Sequence, residues 1–100
     1  MTRDKLMSKY LIKWCKSLHK NCKVEIETLL YAPHRFENIV DSFKDLDRFR
    51  TEALNIDKKY TNKILAKIDK IAGALLNELQ KVSIKTDIDY IGMLKKEMGW

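Results

Sequence analysis

The sequence predicts an all-α protein, an antiparallel bundle of about four helices forming one domain over residues 1–100. Three observations carry that prediction. Apolar residues recur every three to four positions through three long stretches, the spacing of an amphipathic helix. One proline and three glycines leave too few breaks for a turn-rich β protein. No second strand candidate exists to pair with a first. A chain of 100 residues can bury a modest core without disulfide or metal.

The first helix is expected over about 2–31. Met7, Leu11, Trp14 and Leu18 mark its inner side, with Tyr10, Cys15 and Cys22 alongside. Thr2 suits the N-cap and Asp4 the first turn. Residues 23 to 31 (KVEIETLLY) alternate like a strand, yet nothing could pair with them, so they are read as helix after a kink near Asn21. Ala32-Pro33 breaks the chain, and Pro33 can open the next helix.

The second helix is expected over 34–55, with Phe36, Ile39, Val40, Phe43, Leu46, Phe49 and Ala53 inward. The third is expected over 57–82, with Ile64, Ile68, Ile71, Leu75, Leu79 and Val82 as its core line. Gly73 lies off that line and suggests a close helix crossing. Thr86, with Asp89 three residues on, resembles a capping box for a last helix over 87–98, burying Ile88, Ile91, Leu94 and Met98.

Net charge is +6, unevenly spread. Residues 1–24 hold seven basic side chains against one acid. The balance turns acidic to residue 57, eight against four, then basic again, nine against five. Lysines outnumber arginines four to one, which disfavours planar, bidentate recognition of an anion.

Six lysines, Lys5, Lys9, Lys13, Lys16, Lys20 and Lys23, fall within roughly 80° of the first helix circumference. On the third helix Lys59, Lys63, Lys67 and Lys70 make a second strip, with Lys81 further along. Were the two helices neighbours, the strips would flank one cationic surface suited to a phosphate backbone. Few aromatic or arginine side chains interleave with the lysines, so stacking on bases has little support, and no helix-turn-helix pattern is present, so such binding would rest on shape and charge.

Cys15, His19 and Cys22 share a helix side, and His34 follows the proline. Their spacing matches no common zinc pattern, and no metal or other cofactor is expected. No phosphate-binding glycine loop or metalloprotease motif occurs, and a cysteine nucleophile would lack an oxyanion site, so no enzyme activity is expected. No stretch is long and apolar enough to span a membrane. The N-terminus interrupts each apolar run with Lys or Asp, unlike a secretory leader, and two cysteines seven apart on one helix cannot bridge. A reducing cytoplasm is therefore expected. Attachment to a membrane surface would need Tyr10 and Trp14, which the core also needs.

The functional expectation is stoichiometric binding to a protein partner, as regulator, inhibitor or adaptor. Ile12, Tyr31, Tyr90 and Trp100 are the candidate apolar contacts. The alternative is nucleic-acid backbone binding through the lysine strips.

Overall fold

Four α-helices and one 3-10 turn account for nearly all of residues 2–100, the part of the chain that the computed structural model describes. They are α1 (Arg3–Thr28), the 3-10 turn Pro33–Arg35, α2 (Phe36–Leu54), α3 (Lys58–Thr86) and α4 (Tyr90–Met98). The all-α bundle expected from the periodicity is the observed fold. Among the described residues there is no strand.

Thr2 caps α1 as expected, its Oγ1 accepting from the Lys5 N–H at 3.2 Å. The helix runs unbroken past Asn21, so residues 23 to 28 belong to it. It stops at Thr28 rather than near residue 31. The N–H groups of Tyr31 and Ala32 both return to the Thr28 carbonyl, at 3.0 and 2.8 Å. Pro33, with no N–H to offer, then starts the 3-10 turn that leads into α2.

Between α2 and α3 the turn is held by two side chains. The Asp57 side chain caps α3, accepting from the Lys59 N–H at 3.1 Å. The Thr61 hydroxyl, buried, donates to the Ala53 carbonyl at 2.7 Å. At the other end α3 continues to Thr86, beyond the expected limit at 82. Thr86 is its last residue and not the cap of α4; its hydroxyl donates back to the Val82 carbonyl at 2.8 Å. Asp87 breaks the helix in the left-handed region at φ 57°. The cap of α4 is Asp89, which accepts from the Gly92 N–H at 2.9 Å. A Cβ at position 92 would meet that carboxylate, so a larger residue there would displace the capping side chain.

Helix directions follow from the contacts between ends. The Asp57 N–H donates to Asp4 Oδ2 at 2.9 Å, so α1 and α3 begin together and run parallel, with α2 antiparallel to both. Phe36 meets Tyr90 and Phe43 meets Trp100, so α4 runs along α2 in the same sense. The molecule measures 48 × 23 × 18 Å, its long axis close to the roughly 43 Å of α3.

The core joins Leu11, Cys15, Cys22 and Ile26 of α1 to Ile39, Phe43 and Leu46 of α2. From α3 come Ile64, Ile68, Ile71, Leu75 and Leu79, and from α4 Tyr90 and Leu94. Four expectations fail here. Trp14 is 42 % exposed, and Met7 and Leu18 are only partly buried. α1 packs against α3 as well as α2, which centres its buried arc on the cysteine line rather than on Leu11–Trp14–Leu18. Tyr90, expected at the surface, is 1 % exposed because its ring lies on Phe36 at 5.5 Å. Ile88 sits in the connection ahead of α4 and faces solvent instead of the core. Gly73 marks no helix crossing: its position is exposed, with nothing within 4 Å of where a Cβ would stand.

Candidate functional site

The two lysine strips lie on neighbouring helices, α1 and α3. Trp14 packs its ring on Phe49 of α2, at 6.0 Å between centroids, so that flank of α1 faces α2. The opposite flank, with Ser8 buried and Ile12 and His19 half-buried, faces α3. The α1 lysines begin just outside that flank. On α3, Asp69 reaches Arg50 of α2 at 2.8 Å, which fixes one flank. Lys67, on the other, is half-buried and close enough for its charge to act on the Cys15 thiol of α1. Lys59, Lys63 and Lys70 lie beside Lys67 and are exposed, as are Lys5, Lys9, Lys13, Lys16, Lys20 and Lys23. From Lys5 to Lys23 the lysine row extends about 27 Å along α1.

Acidic groups are excluded from most of this surface. No Asp or Glu occurs between Lys5 and Val24, and between Lys58 and Asn77 the only one is Asp69, turned to α2. Glu27 and Glu78 come only at the far end of the parallel pair, where Glu78 meets Lys81 at 3.4 Å. Among the described residues none of the ten lysines is in a salt bridge. Three of the four arginines differ. Arg35 binds Glu25, Arg48 binds Asp45, and Arg50 binds Asp47 and Asp69. These arginine pairs all involve α2 or the turn that leads into it.

The apolar candidates do not form one patch. Tyr90 is in the core, and Ile12 packs against it. Trp100 is 56 % exposed but sets its ring edge-on to Phe43 at 6.0 Å. Tyr31, 88 % exposed on the α1–α2 connection, is the freest of the four. The sequence reading missed an exposed apolar row on α1. Leu6, Tyr10 and Trp14 are 41, 44 and 42 % exposed, one turn apart, on the side of the lysines away from α3. Their spacing of four was visible, but it looked like core.

Cys15 and Cys22 are fully buried rather than at the core edge. Burial pushes the Cys15 thiol above its ordinary value of 9.0, with the charge of Lys67 acting against the shift. The Cys22 thiol is pushed up to about 11 by burial, opposed by a hydrogen bond with Ser42 and reinforced by Glu25. Thiols in these settings stay protonated at neutral pH and are poor nucleophiles and metal ligands. Among the described residues no three His, Cys, Asp or Glu side chains gather as a ligand set. Among the described residues no helix is long and apolar enough to cross a membrane.

Fold and surface together define a class: a small helical bundle with lysine strips on two neighbouring parallel helices. Comparison with protein-family models, with curated proteins and with solved structures gives no match.

Proposed function

We propose that the protein acts by stoichiometric binding rather than catalysis, and that its ligand is the phosphate backbone of a nucleic acid. One observation carries this reading: ten lysines lie on two adjacent parallel helices, and among the described residues none of them is in a salt bridge. Like charges one turn apart repel. A linear polyanion relieves that repulsion and releases its own condensed counterions on binding. The scarcity of arginine and the absence of a helix presented for major-groove reading favour contact with phosphates over base edges. A cytoplasmic location goes with this reading, since two free buried thiols suit a reducing compartment.

The test is a filter-binding titration over a range of salt. Affinity for random duplex should fall linearly in log–log form, at about −0.9 per phosphate neutralised. Replacing Lys9, Lys13, Lys16 and Lys20 with Gln should flatten the slope while the helical circular dichroism persists. Absence of binding at low salt removes the reading.

A protein partner with an acidic surface is the second reading, favoured by Tyr31 standing 88 % exposed beside the half-exposed Leu30. Tyr31→Ser should leave nucleic-acid affinity unchanged. Under the second reading it weakens the complex, whereas loss of lysines mainly slows association through lost steering.

A further inference from the structure

Beside the lysines of α1 runs the row Leu6, Tyr10 and Trp14, each about two-fifths exposed. The Tyr10 and Trp14 rings lie 6.0 Å apart at 19° to one another. Trp14 is backed in turn by Phe49, over which the Arg48 guanidinium sits at 5.5 Å. A surface depression of about 480 Å³ is lined by Leu6, Tyr10 and Ile12 together with Lys9, Lys13 and Lys16. Flat apolar surface and ammonium groups thus share one concavity. The ligand chemistry that matches is a flat ring joined to an anion, repeated along a line.

We infer that this row is a base-stacking strip, and that the protein prefers single-stranded to duplex nucleic acid. The inference rests on the phosphate-binding reading above and adds the ligand's form to it. A duplex offers the same phosphates but hides the faces of its bases. A single strand can lay its backbone along the lysines and turn bases onto the neighbouring rings, as single-strand binders do. Stacking is indifferent to sequence, in keeping with a site that has no base-edge readers. A membrane surface fits the strip less well. Interfacial helices bind in proportion to the apolar area they insert. Here three part-exposed side chains stand against ten lysines spread over two helices, and Trp14 is held on Phe49.

The experiment compares three ligands with equal numbers of phosphates: an oligothymidylate strand, an abasic strand of the same length, and a duplex. Trp100→Phe leaves Trp14 as the sole indole, so its fluorescence reports the strip. The thymidylate strand should bind about tenfold tighter than the abasic strand and the duplex, and should quench Trp14. Tyr10→Ser and, separately, Trp14→Leu should erase that preference while keeping the salt slope and the helical circular dichroism. Equal affinity for thymidylate and abasic strands overturns the stacking strip and leaves the phosphate reading intact. Failure of all three ligands to bind at low salt overturns both. A blue shift of Trp14 on phosphatidylserine vesicles, with no quenching by the strand, overturns the inference in favour of a membrane surface.

Discussion

Lys63 stands one helical turn from both Lys59 and Lys67, in the middle of the α3 strip. Each neighbouring pair of like charges costs a helix about 0.2–0.5 kcal/mol at low salt, and an opposite pair gains a similar amount. Lys63→Glu reverses two such pairs at once, and each reversal is worth about 0.4–1 kcal/mol. The variant should therefore be more stable by about 1–2 kcal/mol. For a domain of this size that corresponds to a rise in Tm of about 4–16 °C. Thermal melts followed by circular dichroism should be run at about 0.01 M and about 1 M salt, where the screening length is about 30 Å and about 3 Å. The gain should be present in the first and nearly gone in the second. Under the phosphate-binding proposal the same variant should bind nucleic acid more weakly, because the charge that destabilises the free protein would be a charge that holds the ligand. A gain equal at both salts, or no gain, would refute the electrostatic reasoning. A more stable variant with undiminished binding would remove the α3 strip from the interface.

Leu75→Ala, at a fully buried position on α3, should cost about 2–5 kcal/mol in chemical denaturation; an unchanged midpoint would mean that α3 does not pack as described. The Tyr90 hydroxyl is buried without a hydrogen-bond partner, so Tyr90→Phe should leave the melting temperature unchanged or raise it, and a clear drop would point to an unrecognised partner for that oxygen. Stability should also fall at alkaline pH through the buried thiols. The folded Cys22 pKa, about 11, lies above its ordinary 9.0, so the unfolded chain releases the proton first. The contribution is complete below about pH 9 and is lost as pH rises toward 11, by an amount of order 2–3 kcal/mol. Cys22→Ala should flatten the denaturation free energy across that window, and an identical alkaline slope in wild type and variant would count against the assignment.

Helix content was legible because it is local. The 3.6-residue period of Ile64, Ile68, Ile71, Leu75 and Leu79 marks α3, and all five are buried. Thr2, Pro33 and Asp57 bracket their helices through side-chain chemistry that needs no distant partner. Helix ends were less legible where tertiary structure sets them. Thr86 reads as the cap of α4 in sequence, with Asp89 as its capping-box partner; the left-handed turn at Asp87 ends α3 after Thr86 and leaves Asp89 as the cap. The two lysine strips were equally plain, since each belongs to one helix.

What the sequence determined by itself, then, is four helices and two cationic faces. Tertiary structure decided how those faces relate. A helix wedged between two neighbours buries a broad arc, and the centre of that arc depends on where the neighbours stand. Hence α1 turns its cysteines inward and leaves Trp14 half outside, while Tyr90, near the chain's end, becomes core. The parallel pairing of α1 with α3, pinned where Asp4 accepts from the Asp57 backbone, places the two strips on neighbouring helices. Periodicity along a chain records which side of a helix is apolar, but carries no record of which other helix comes to lie against it.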